Sequence, residues 1–186
     1  MRILMTVAGT IILLLAPALP AQEIFSDGFE NGSTCLWSDV TDGDDTQLSA
    51  RYLGETDDCD GNQFSWQGEV HDPDDVDFTI HHMTEAPLGC AVDTTVTIVA
   101  ADPLDYCVYF SCDSGNTVVT CPANTIDAIA DSGAIGCCSV SDVQNTIQIQ
   151  QDCAGAVDLH GMVWTEVSTS DGAGGACIPY GLVVHN

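Results

Sequence analysis

Lysine is missing from this 186-residue chain, and only two arginines stand against 28 aspartates and glutamates, for a net charge of −26. So one-sided a chain repels nucleic acid, anionic membranes and heparin-like polymers, and those partners are excluded. Missing too are Cys-x-x-Cys, His-Glu-x-x-His, Gly-x-Ser-x-Gly and a phosphate-cradling glycine loop. Their absence leaves no zinc-finger spacing, zinc-protease helix, hydrolase nucleophile elbow or nucleotide cradle to build on.

What is there begins with an export signal. Arg2 is followed by an apolar run from Ile3 to Leu15, and Ala16-Pro17-Ala18 or Ala21 offers a small-residue cleavage site. The run is too short to span a membrane, and Pro17 and Pro20 break it. Residues 1–21 are therefore expected to be removed. One arginine, Arg51, then faces 28 acids, a net charge of −27. The expected location is outside the cytoplasm, in the extracellular space or periplasm.

Ten cysteines, Cys35, Cys59, Cys90, Cys107, Cys112, Cys121, Cys137, Cys138, Cys153 and Cys177, fit that location. An even count in an exported chain predicts a disulfide framework whose pairing the sequence leaves open. Adjacent Cys137 and Cys138 are expected to bond two different partners.

Residues 22–53 read as a flexible tether: Asp42-Gly43-Asp44-Asp45 is polar and aperiodic. Ile24 to Trp37, with Asp27-Gly28-Phe29-Glu30, resembles a short peptide found near the N-termini of many exported bacterial proteins. From residue 54 to 186 the pattern becomes short runs rich in Val, Ile, Thr and aromatics. Strands are predicted over 64–70, 76–82, 94–100, 106–111, 117–121, 146–150, 159–167 and 180–185. Asp113-Ser114-Gly115-Asn116 reads as a hairpin turn, and residues 123–134 as a helical turn or two between Pro122 and Gly133. Eight short strands predict an all-β, antiparallel sandwich in a single domain. In 76–82, Val76, Phe78 and Ile80 fall on one side, Asp77, Thr79 and His81 on the other. Alternation likewise places Trp164 inside with Met162.

The motif order is similar to that of the bacterial pre-peptidase C-terminal domain. Glu55-Thr56-Asp57-Asp58 matches its opening motif, with Asp for Asn, and Asp75-Val76-Asp77-Phe78 its D-x-D-aromatic element. Asp105 to Phe110 followed by Asp113-Ser114-Gly115 resembles its strand-and-turn, Met162 to Val167 a late strand, and Tyr180 to Val184 the terminal one. The likeness covers about 130 of the 186 residues, and the cysteines mark a Cys-rich branch. It implies a jelly-roll-like sandwich of the kind appended to secreted peptidases. It also implies calcium carried on the opening carboxylates.

Two acidic stretches give the residue-level reason for calcium. The ion takes six to eight oxygens, largely from carboxylates and carbonyls in loops. Glu55, Asp57, Asp58, Asp75 and Asp77 supply five if the two stretches meet at one end of the sandwich. Asp58-Cys59-Asp60-Gly61-Asn62 echoes an EF-hand loop but lacks the glutamate at position 12. A solvated acidic surface is the plain alternative. His81-His82 with His71 forms a weaker candidate for a transition metal. Asp113-Ser114-Gly115 resembles a serine-protease nucleophile segment, but no Ala-x-His-Cys accompanies it, and a turn explains it fully. Trp66, Tyr109 and Trp164 are candidates for a sugar-binding platform. The expected function is a non-catalytic exported module, binding or structural, whose ligand is a polysaccharide or an extracellular protein. Three alternatives remain: a small secreted hydrolase, an accessory subunit of a secreted peptidase, and a surface-assembly protein marked by a large apolar patch.

Overall fold

The structure, a computed structural model, describes residues 43–57, 61, 63–71, 74–85, 93–100, 102–140, 145–170 and 177–185. The chain divides into two compact units, Met1–Gly32 and Ser33–Asn186. The first lies wholly outside the described residues, as do the expected signal, most of the tether, Asp58, Cys35, Cys59 and Cys90.

The fold is all-β, with twelve strands rather than eight. They are β1 (Arg51–Asp57), β2 (Gln63–Val70), β3 (Val76–Thr84), β4 (Thr95–Ala100), β5 (Leu104–Cys112), β6 (Asn116–Thr120), β7 (Thr125–Ile129), β8 (Ile135–Ser139), β9 (Thr146–Gln148), β10 (Gln150–Ala154), β11 (Gly161–Thr169) and β12 (Ile178–His185). A six-stranded sheet runs β1-β3-β11-β5-β8-β7 and a four-stranded sheet β2-β12-β4-β9, while β10 and β6 pair separately. Pairing is antiparallel except that β1 lies parallel to β3. Seven of the eight expected strands are present as single strands, and the eighth, 146–150, is split between β9 and β10, which belong to different sheets. The segment read as a helical turn is instead β7 with its turn into β8, antiparallel to it from Thr125↔Ser139 to Ile129↔Ile135. The turn at residues 113–115 is also present, but it is not a hairpin: β6 leaves the sheet of β5 to pair with β10.

The two larger sheets enclose one core. Val163, Val167, Tyr106, Val108 and Phe110 of the six-stranded sheet meet Tyr180, Leu182, Val184, Val96 and Ile98 of the other. Gly68 lies where any side chain would strike the Tyr180 ring across β2 and β12. β3 supplies the exception. Its inward residues are Asp77, Thr79, His81 and Met83, all buried, while Val76, Phe78 and Ile80 face away from the core and are half-buried. Trp164 and Met162 share that outward side, whereas Val163 and Thr165 point in. The expected inward placement of Trp164 is therefore corrected.

Part of a third layer explains why apolar side chains tolerate that face. The Phe78 N–H donates to the Asp44 carbonyl at 3.0 Å, and Asp44 is buried. From the same segment, Gln47 Oε1 accepts from the Ser132 N–H in the β7–β8 turn at 3.1 Å. Tyr109, outward on β5, is only 5% exposed and donates to Glu166 at 2.8 Å. Its hydroxyl pKa is raised by burial first, then by the Glu166 hydrogen bond and charge and by Asp131 of that turn. The domain therefore starts before residue 54: β1 opens at Arg51, and residues 44–47 are fastened to the sheet.

Three disulfides fix the sheets laterally: Cys107–Cys138, Cys112–Cys153 and Cys121–Cys137. Successive strand residues point to opposite faces, so buried Cys137 turns inward to Cys121 and Cys138 outward to Cys107, its registered partner on β5. The adjacent cysteines thus take two partners, as expected. Cys177 is disulfide-bonded as well, and no described cysteine is free. Such a framework belongs to an oxidising compartment.

The start of the domain is testable by paired truncation. A chain beginning at Arg51 loses the Asp44 and Gln47 bonds that a chain beginning at Gly43 keeps. Leaving partly buried groups unpaired costs about 1–3 kcal/mol, and at this size each kcal/mol lowers Tm by ~2–4 °C. The shorter chain should melt several degrees below the longer one by calorimetry; equal Tm values would mean residues 43–50 contribute nothing.

Candidate functional site

Of the five carboxylates expected to hold calcium, the four that are described, Glu55, Asp57, Asp75 and Asp77, are spread along β3 rather than gathered. Asp75 and Asp77 stand at its start. Glu55 and Asp57 are registered against His82 and Thr84 near its end. Five and seven residues of strand separate those partners from Asp77, about 16 and about 23 Å at 3.3 Å per residue. The reason is topological: β2 runs between the two acidic stretches, so they leave from its opposite ends. Asp75 already closes the β2–β3 connection, its Oδ2 accepting from the His71 N–H at 2.5 Å and lying 3.5 Å from His71 Nδ1. Among the described residues no three His, Cys, Asp or Glu side chains come together as a metal-binding group. Among the described residues, Glu55 and Asp57 are therefore not brought together with Asp75 and Asp77.

The histidine pair is divided by the pleat. His81 points inward, 1% exposed, its ring 6.1 Å from that of Phe64, and its Nε2 has no hydrogen-bond partner among the described residues. The hydroxyls of Thr165 and Tyr106, on the same inner face, have none either. Burial first, then the neighbouring His82, lowers the His81 pKa to about 4, so the ring is neutral at neutral pH. His82 points outward between two carboxylates, with Nε2 2.8 Å from Asp113 Oδ2 and Nδ1 3.7 Å from Glu55 Oε1. It ties β1 and β3 to the turn after β5, and the His160 ring stands edge-on 6.5 Å away. The His82 Nε2 is hydrogen-bonded to Asp113, while Nδ1 makes only a looser contact with Glu55, so His82 links three elements through one firm bond. Ser114 forms no hydrogen bond to a histidine among the described residues, so no nucleophile–base pair is formed there.

The aromatic candidates do not make a platform. Trp66 is half-buried under the Arg51 guanidinium, 4.4 Å from its ring centre, while Tyr109 and Trp164 are registered side by side on the other sheet.

The surface that sequence reasoning missed is the outer face of the four-stranded sheet. Register sets three rows across it: Gln67–Gly181–Val99, Ser65–Val183–Thr97–Thr146 and Gln63–His185–Thr95–Gln148. Gln63, Ser65, Gln67, Thr146 and Gln148 are exposed, as is Val99 at 44%, and the Thr97 and Thr146 hydroxyls bond each other at 3.2 Å. Of the chain's 28 acidic residues only one, Glu69, falls on these four strands. The face is uncharged over most of its area and lined by amides and hydroxyls. The signal was available in the sequence: Gln-x-Ser-x-Gln and Thr-x-Thr-x-Val alternate on the outward positions with no acid between them.

Compared with known protein families, characterised proteins and solved structures, the chain matches none.

Two measurements follow. The folded His81 resists protonation while the unfolded ring accepts a proton near pH 6.5, so stability is full above pH 6.5 and falls as pH drops towards 4. The loss amounts to about 3 kcal/mol at 1.36 kcal/mol per pKa unit. Denaturant midpoints of His81→Met should lack this loss between pH 6.5 and 4; parallel pH profiles for variant and wild type would refute it. For the acidic stretches, Asp57→Asn and Asp75→Asn should change Tm in millimolar calcium additively, within about 0.5 kcal/mol. A larger coupling would place both in one site.

Proposed function

We propose that this chain is an exported, non-catalytic binding module whose working surface is the outer face of the four-stranded sheet. The carrying observation is the separation of charge: a broad uncharged face on a molecule otherwise crowded with carboxylates. Residues able to do chemistry elsewhere are engaged with one another, His82 with Glu55 and Asp113, Tyr109 with Glu166, and Ser170 with Asp105 at 3.0 Å. Export is supported by the N-terminal apolar run and by the disulfides. The motif likeness to the pre-peptidase C-terminal domain agrees with such a module. Calcium on the two acidic stretches forms no part of this reading, because they lie at opposite ends of β3.

The test is a two-part assay on the full secreted chain. Incubation with polysaccharide and peptide substrates should release no reducing ends or new amino termini. Hydrolysis that disappears in Glu55→Gln or Asp113→Asn would replace this reading with that of a small hydrolase.

A further inference from the structure

We infer that the outer face of the four-stranded sheet binds a neutral polysaccharide chain lying along β12 and β4; this rests on the module reading above and names its partner. Three properties of the face select that partner.

Charge comes first. A polyanion is repelled by the molecule as a whole, and a polycation would be drawn to the carboxylates on the other strands, not to a face that offers one. An uncharged chain is neither repelled by the molecule nor drawn elsewhere.

Shape comes second. Gly181, Val183 and Val99 on the central strands are short and apolar, while Gln63 and Gln67 on β2 and Gln148 on β9 stand to either side with longer amide side chains. The result is a shallow trough with a C–H floor and amide rims. A sugar ring needs both, because its axial C–H faces are apolar and its equatorial hydroxyls demand donors and acceptors. Each amide supplies a carbonyl acceptor and two N–H donors.

Area comes third, and it decides against a second copy of this chain. β2 and β12 at about 26 Å, β4 at about 20 Å and three-residue β9 at about 10 Å, spaced about 4.8 Å apart, give a face on the order of 400 Å². A stable protein interface needs about 800 Å² per partner, and two copies would also bring their like charges together. A polysaccharide chain, one or two strands wide, is under neither requirement.

The experiment is affinity electrophoresis of the full chain in native gels containing hydroxyethylcellulose, xylan or soluble starch, with polygalacturonate as the anionic comparison. At least one neutral polymer should retard wild type and polygalacturonate should not. Val99→Lys, on an exposed floor position, and the double variant Gln67→Ala/Gln148→Ala should each weaken retardation at least fivefold. Ile126→Lys, on exposed β7 of the other sheet, should migrate with the same retardation as wild type. Circular dichroism melts of every variant show that the fold persists, and the Gln double variant keeps the test valid if Val99→Lys does not fold. No retardation by any neutral polymer overturns the inference. So does retardation that survives both face variants, although the module reading then stands with its site elsewhere. Concentration-dependent self-association abolished by Val99→Lys would assign the face to a second copy instead. Release of reducing ends, by contrast, would overturn the module reading itself.

Discussion

A chain with no lysine and two arginines folds against its own charge, and most features of this structure are ways of living with that. Carboxylates a few ångströms apart repel by about 1 kcal/mol in water and several times more near a protein surface, and cationic partners are almost absent. The base-to-carboxylate contacts found among the described residues are made by histidine: His71 with Asp75, and His82 with Glu55 and Asp113. Arg51, the one strong base among the described residues, lies over the Trp66 ring. The remaining resistance to expansion is covalent. Cys107–Cys138, Cys112–Cys153 and Cys121–Cys137 close loops of 31, 41 and 16 residues. Bridges over such lengths typically add about 2–4 kcal/mol each by restricting the unfolded chain.

The positions of seven strands were legible because a period of two survives even in an acidic sequence. Which face of each strand turns inward was not. In β3 the pattern separates Val76, Phe78 and Ile80 from Asp77, Thr79 and His81, and hydropathy alone assigns the first set to the core. The fold does the reverse, because residues 44–47 and the β7–β8 turn lie against the far side of the sheet and make it a second partly apolar environment. Trp164 was misplaced for the same reason. β1 was hidden by Gly54, which interrupts Arg51–Asp57 with a φ of +132° at a register shift and leaves room for the Phe64 ring 2.9 Å from where a Cβ would stand. In β7, Ile126 and Ile129 fall three residues apart, a helical spacing, but the segment's pairing with β8 overrides that local signal.

The acidic stretches stand out because they are dense, but density does not say where the strands carry them. The strand at 64–70 was itself visible between them, and a strand of that length carries its two ends more than 20 Å apart. Two loops flanking one strand therefore cannot converge without the chain folding back. The residues that define the exposed neutral face were individually bland, single Gln, Ser and Thr side chains of the kind found on any surface. Only pairing reveals them as three rows, because β2, β12, β4 and β9 come from distant parts of the chain.

The arrangement has an electrostatic consequence that separates the proposed binding face from folding. At physiological ionic strength the Debye length is about 8 Å. The four-stranded face is roughly 19 Å wide at about 4.8 Å per strand, so its central strands lie about a screening length from carboxylates at the flanks. Val183 and Thr97 therefore sit on a surface where the field of those carboxylates is weakened by screening, although the molecule carries a large net charge. The contacts of the proposed ligand there would consist of hydrogen bonds and apolar burial, neither of which is screened by added salt. The fold itself is strained by repulsion that salt does relieve. Ionic strength should therefore act on the stability of this protein far more than on whatever its neutral face holds, an inversion of the dependence seen where charge makes the contact.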